Sequence, residues 1–148
     1  MRWQRDEFVI SDNRDELDID SIHVFLRESY WARGIPRSIV EKAIANSLCF
    51  GLYRHGKQAG FARAITDYAT FAYLADVFIL PEFRGLGLGK WLVSCIIAHP
   101  QLQGLRRLLL ATSDAHGLYR QYGFLPPQFP ENFLEITRLN MYREKVED

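Results

Sequence analysis

The segment Ile79-Leu80-Pro81-Glu82-Phe83-Arg84-Gly85-Leu86-Gly87-Leu88-Gly89-Lys90 constrains this chain most. Phe71–Leu80 is apolar throughout except for Asp76, the pattern of a central strand covered on both faces. Pro81 ends that strand. Glycines then alternate through the turn, and an apolar helix runs from about Leu88 to Ala98, stopped near Pro100. Glycine permits positive φ and close backbone approach to a ligand. Consecutive N–H groups pointing inward at a helix N-terminus, where the dipole is positive, form a phosphate cradle.

Three glycine motifs compete for this loop. A Walker A loop needs glycine five residues before Gly89 and Ser or Thr after Lys90; Arg84 and Trp91 stand there. A dinucleotide fingerprint begun at Gly85 needs a third glycine where Lys90 stands, and a preceding βαβ context that the N-terminal sequence lacks. The pattern Arg/Gln-x-x-Gly-x-Gly/Ala is met by Arg84, Gly87 and Gly89.

The rest of the chain supplies one domain around this turn, residues 1–148. At 148 residues, about 70% of the unfolded surface can be buried. Hydrophobic residues make up 48% and charged residues 24%, which argues against disorder. Eighteen basic residues balance eighteen acidic ones, so no global charge points to nucleic acid. The N-terminus lacks an apolar signal core and no apolar stretch approaches a membrane span, so a soluble cytoplasmic chain without membrane partners is the expectation. Cys49 and Cys95 have no metal-ligand spacing and read as small buried hydrophobes; no metal is expected.

Local patterns give the remaining elements. Phe8–Ile10 reads as a first strand. Asp20 or Ser21 can cap a helix running to about Tyr30, and Pro36 opens a second helical stripe through Ile39, Val40, Ala43 and Ile44. Leu48–Arg54 and Gln58–Thr66 form a hairpin about His55-Gly56-Lys57. Leu105–Ala111 is a strand, and Asp114–Tyr122 a short helix with Gly123 as its C-cap. Leu134–Tyr142 alternates weakly and is expected to close the sheet.

Two signatures together carry a resemblance. DVFILPEFRGLGLGKWLV resembles the acetyl-CoA segment of the GNAT acetyltransferase superfamily, and HGLYRQYGF is similar to its second signature. The resemblance spans about Leu48–Phe124. It implies an α/β fold with a mixed, mostly antiparallel sheet flanked by helices. Phe71–Leu80 and Leu105–Ala111 would run parallel and splay apart at the cofactor. It also implies transfer of acetyl from acetyl-CoA to a primary amine by direct attack, without a covalent enzyme intermediate.

The resemblance assigns roles residue by residue. The pyrophosphate would lie on the backbone of Arg84, Gly85, Leu86, Gly87, Leu88, Gly89 and Lys90. The pantetheine arm would pair with the backbone of Val77, Phe78 and Ile79, and an N–H near Ile79 would polarise the acetyl carbonyl. Tyr119 matches the tyrosine facing the CoA sulfur, as general acid; the competing reading is a packing tyrosine, and Tyr122 is second choice. A free phenol titrates near 10 and a thiol near 8.5, so full proton transfer is uphill by about 2 kcal/mol. Thr112 stands where many relatives carry Asn, which puts that cofactor contact in doubt. Tyr30 and Trp31 would wall the acceptor site, or simply pack.

On the order of one lysine-like amine in a thousand is neutral at pH 7, so a base is expected. Asp76 is the first candidate, because an unpaired carboxylate inside an apolar strand is costly. The alternative is a structural Asp tying down a neighbouring loop. His116 and Asp114 open the short helix and read as ordinary helix-start residues. Cys95 lies in the apolar helix without an evident base and is not expected to be a nucleophile. The acceptor class stays open between small-molecule and peptide or protein amines, and a homodimer is compatible with the sequence. The competing function is an acyl-CoA-binding regulatory domain that keeps the fold and has lost turnover.

Overall fold

The computed structural model describes residues 1–142. Arg2–Arg5 (β1) and Phe8–Ser11 (β2) form an antiparallel hairpin turned at Asp6, whose φ is 52°. The strand β1 was not expected from the sequence. Its residues RWQR are mostly exposed and show no alternation; it forms because the edge of β2 offers it a ladder.

Helix α1 (Ile19–Glu28) is capped by Asp18, and not by Asp20 or Ser21 as expected. The Asp18 carboxylate accepts both the Ser21 N–H, at 3.2 Å, and its hydroxyl, at 2.6 Å. Helix α2 (Arg37–Ala45) follows Pro36. The two helices bury Ile22, Leu26, Val40 and Ile44 against Cys49, Phe61 and Phe78 on one face of the sheet.

Strands β3 (Leu48–Arg54) and β4 (Lys57–Thr66) form the expected hairpin, and β5 (Phe71–Ile79) pairs antiparallel with β4. Helix α3 (Leu88–Ala98) crosses the other face, burying Leu92 and Ile96 completely. Truncating either to Ala would cost about 2–5 kcal/mol. The chain returns as β6 (Arg107–Leu110), parallel to β5, before the short helix α4 (His116–Arg120). The sheet order is β1-β2-β3-β4-β5-β6, mixed and mostly antiparallel as expected.

Two local departures shape the site. The β5–β6 ladder runs only from Phe71–Arg107 to Leu74–Leu110. Beyond it, the far half of β5 has no partner on that side. Nor is β5 fully buried on both faces as expected: Tyr73, Ala75, Val77 and Ile79 are half-buried. The second departure is a bulge in β5. Opposite Arg63 stands Ala75, yet opposite Phe61 stands Phe78, so β5 carries one extra residue. Asp76 absorbs it with φ at 55°, a left-handed conformation that Asp tolerates better than most residues.

The expected closing strand Leu134–Tyr142 does not form. Leu134, Ile136 and Leu139 are 98%, 88% and 86% exposed. The alternation breaks between Ile136 and Leu139, so the apolar residues do not share one face of a strand. Among the described residues no helix is long and apolar enough to cross a membrane.

Candidate active site

The loop after β5 is built to leave main-chain donors free. A short turn at Pro81–Phe83 uses the Arg84 N–H, which donates to the Pro81 carbonyl at 3.3 Å. From there the pattern changes. The N–H groups of Gly85, Leu86, Gly87, Leu88, Gly89 and Lys90 donate to no protein acceptor among the described residues. Gly85 and Gly87 have φ of 83° and 74°, and a Cβ on either would meet open space. Gly87 is the N-cap of α3, so the dipole of an eleven-residue helix adds to these donors. The Arg84 guanidinium folds back, its Nε donating to the Ile79 carbonyl at 3.1 Å, and fixes the loop against the strand end. Leu86 and Lys90 project into solvent, so the loop's chemistry resides in its backbone.

Val77 and Ile79 turn toward the core that packs α3, while Phe78 is buried under the helices α1 and α2. Their side chains are structural. Their backbone is the part of β5 left unpaired once β6 diverges.

Asp76 lies on the opposite wall with both oxygens engaged. Oδ2 accepts from Arg63 Nε at 2.9 Å, and Oδ1 accepts from Trp31 Nε1 at 2.8 Å. The ion pair is mostly buried, with side-chain exposures of 16% for Arg63 and 12% for Asp76. Asp76 therefore ties the strand bulge to the α1–α2 loop, as the structural alternative anticipated. Each carboxylate oxygen keeps a second acceptor site. Trp31 packs edge-on to Tyr30 and against Phe25, which stacks on Phe78 at 3.9 Å. Tyr30 and Trp31 stay 57% and 43% exposed, so the pair forms a surface wall.

Tyr119, on α4, is buried and sits edge-on to Phe124. Its hydroxyl has no protein partner among the described residues and still reaches solvent at its tip. Burial first, then the nearby Asp114 carboxylate and Tyr30, push its phenol up to about 12. It is a proton donor across the whole physiological range. Thr112 Oγ1 accepts the Ala115 N–H at 3.1 Å and shapes the approach to α4, leaving its own hydroxyl proton free to donate. Ser113 donates to the Tyr30 hydroxyl at 2.8 Å, joining the β6–α4 loop to the aromatic wall.

His116 and Asp114 are exposed at the start of α4. Burial pushes the Cys95 thiol up, away from the thiolate a nucleophile needs. His99 is buried and meets Asp12 at 2.8 Å, tying α3 to the N-terminal hairpin far from the loop. Sequence reasoning passed over three residues: Arg63, Ser113 and Phe25. Arg63 had a signal. It is the single charge within QAGFARAIT, in the strand before Asp76. Ser113 and Phe25 had none, because their roles arise from loops and helices that meet only in space.

Comparison with known proteins places the chain. The model of the Acetyltransferase (GNAT) family matches residues 18–124. A protein of Gibberella zeae named as an acetyltransferase is 35% identical over 140 residues, covering 79% of this chain and 78% of its own. A crystal structure from Xanthomonas campestris pv. campestris, described as a GNAT-family acetyltransferase, is 51% identical with a TM-score of 0.91, covering 94% of this chain and 99% of that one. An acetyltransferase of Clostridium acetobutylicum solved with acetyl-CoA shares the fold, with a TM-score of 0.63 at 13% identity, over 88% of this chain and 94% of that one.

Proposed function

Because the chain belongs to the GNAT acetyltransferase family, we propose that it transfers acetyl from acetyl-CoA to a primary amine by direct attack in a ternary complex. The observation that carries the reading is the run of six unengaged N–H groups, Gly85 to Lys90, at the start of α3, beside the unpaired half of β5. Together they fit a pyrophosphate with an extended arm attached. Bound acetyl-CoA supplies an activated acetyl thioester. The N–H groups of Gly85–Lys90 hold its charged end, and the backbone of Val77–Ile79 aligns the arm.

Asp76 works on the acceptor side. Its spare lone pairs orient an incoming ammonium and pass its proton to water, while Arg63 and Trp31 hold the carboxylate still. As the amine nitrogen bonds to the acetyl carbon, the C–S bond breaks and negative charge collects on sulfur. Tyr119 meets that charge. With its phenol near 12 and a thiol near 8.5, complete proton transfer is uphill by about 5 kcal/mol. Tyr119 therefore stabilises the thiolate through a hydrogen bond, and the proton is completed from solvent. Thr112 supports the cofactor with a hydroxyl where many relatives use an amide.

Thiol release from acetyl-CoA, measured against a panel of primary amines, polyamines and lysine peptides, tests the proposal. Amine-dependent release with acetylated product supports it. Tight CoA binding with no release for any amine would instead indicate a CoA-binding domain without turnover.

A further inference from the structure

The face of the sheet that carries α1 and α2 is covered only in part. The helices pack on Cys49, Phe61 and Phe78, and the loop between them meets β5 at Asp76, through Trp31. From there to the β4–β5 turn, strand alternation puts Ala75, Tyr73 and Phe71 of β5 and Ile65 of β4 on this face. The parallel ladder sets Leu109 of β6 beside Tyr73. Ile65, Tyr73 and Leu109 thus form one row across three strands, about 5 Å from strand to strand.

This row is open to solvent. Ile65 is 42% exposed and Phe71 36%, while Tyr73, Ala75 and Leu109 are half-buried. Ala64, Ala72 and Leu74, which alternate with them and point to the α3 face, are buried. One exposed apolar side chain is ordinary, but five on one face of adjacent strands make a patch of the kind that binds.

Charge decides what fits. The patch begins at Asp76, whose oxygens keep spare acceptor sites. Tyr73 lies three residues back along β5, about 10 Å at most. Besides Asp76, the ladder positions between the Arg63–Asp76 pair and the turn carry two charges, Arg63 and Arg107, both positive. Arg107 lies over the Phe133 ring, 5.0 Å from its centroid, at the far corner. The carboxylate at the turn, Asp67, is occupied: it accepts the N–H groups of Ala69, Thr70 and Phe71 and the Thr70 hydroxyl. A second ammonium would therefore rest on apolar side chains between two arginines. A carboxylate on the acceptor would face Asp76, beside an Arg63 that already donates to Asp76 and Ser47.

Resting on the reading of the chain as an N-acetyltransferase, we infer that its acceptor is an apolar primary amine with a single positive charge, of the alkyl or arylalkyl class. The ammonium meets Asp76, and the apolar body lies across Tyr73, Ile65 and Leu109. Polyamines, amino acids and basic peptide tails are poor acceptors on this surface.

Acetyl transfer to phenethylamine and hexylamine, compared with spermidine, glucosamine and a lysine peptide, tests the inference. The first two should lead in kcat/KM by at least about tenfold, the effect of one or two methylenes in an apolar site. Ile65→Asp should lower kcat/KM for phenethylamine and raise it for spermidine, a reversal that damage to the fold cannot produce. Ile65→Thr keeps the β-branch and should raise the phenethylamine KM with kcat retained, which serves if Ile65→Asp does not fold. Spermidine, glucosamine or the peptide in the lead, or a phenethylamine KM unmoved in Ile65→Thr, overturns the inference and leaves acetyl transfer standing. Methyl NMR separates the two readings. With CoA bound, phenethylamine should shift the Ile65 and Leu109 methyl resonances. Such shifts without thiol release from acetyl-CoA for any amine keep the apolar amine site and overturn acetyl transfer. Methyls that stay unmoved, or that respond to protein concentration rather than to amine, overturn the inference, the latter by assigning the patch to a second copy.

Discussion

The two sides of the proposed site are made of different material. On the side proposed for the acceptor, Trp31, Asp76 and Arg63 form a chain of side-chain contacts, and Ser113 bonds to Tyr30. On the side proposed for the cofactor, six main-chain N–H groups stand without partners among the described residues, and the side chains of Leu86 and Lys90 are exposed. The contrast teaches where specificity and affinity reside. A backbone cradle recognises a constant ligand and tolerates changes of side chain, except where a Cβ blocks approach. A side-chain wall can be rebuilt for each acceptor, but every member depends on its neighbours.

Asp76→Asn attacks the side-chain wall where it is most coupled. Asn tolerates the left-handed backbone, so the substitution removes charge without forcing the bulge. It leaves Arg63 unpaired in a mostly buried place, and thermal or urea unfolding should show a loss of about 3 kcal/mol. Adding Arg63→Met should recover most of that stability while acetyl transfer near neutral pH stays low. If transfer and its pH profile survive in the double variant, Asp76 only braces the loop.

Tyr119→Phe touches neither wall's scaffold. Stopped-flow thiol release should show kcat lowered by about a hundredfold or slightly less, with CoA affinity little changed. Its raised phenol also fixes the sign of a pH effect. The hydroxyl stays protonated until pH nears 12, so the wild-type rate should climb as the amine loses its proton and show no downturn near pH 10. A downturn there would mean the phenol titrates at its ordinary value.

Gly89→Val tests the cradle with less backbone strain than a change at Gly87. Gly89 lacks positive φ, and a Cβ there meets only Leu118 at 3.9 Å and Ile79 at 4.0 Å, ordinary contacts. Gly87→Val would confound ligand loss with strain at its φ of 74°. Calorimetry should find CoA bound about thirtyfold more weakly by Gly89→Val, the loss of one charge-assisted hydrogen bond worth about 2 kcal/mol. Leu86→Ala should bind normally. Weakening by Leu86→Ala as well would shift the cradle's affinity onto its side chains. The smallest effect is expected for Ser113→Ala. It removes one exposed hydrogen bond, worth about 1 kcal/mol or less, and should appear as a modest rise in the amine KM with kcat retained.

Much of this architecture was legible because it rests on local chemistry. Pro81, the alternating glycines and the apolar run after them fix a strand–turn–helix wherever they occur, and His55-Gly56 marks its hairpin directly. What escaped depended on partners. β1 is held by the edge of β2 rather than by any pattern of its own. Leu134–Tyr142 carries strand-like residues, yet its parity breaks between Ile136 and Leu139. At the site, Asp76 was conspicuous as a charge in an apolar strand, but its engagement was not. One neighbour, Arg63, is across the ladder, and the other, Trp31, comes from a loop 45 positions earlier. Ser113 could not be foreseen at all, since its partner Tyr30 is brought to it only by the fold.

The central claim is that the ligand is held by main-chain donors at the start of α3. An amide-resolved NMR titration of the nitrogen-15-labelled chain with CoA tests it most directly. The account predicts that the amide resonances of Gly85 to Lys90 shift together and become protected from exchange, while the Trp31 indole N–H, already bonded to Asp76, moves little. Shifts confined to the aromatic wall, with the Gly85–Lys90 amides unmoved at saturating CoA, would contradict it.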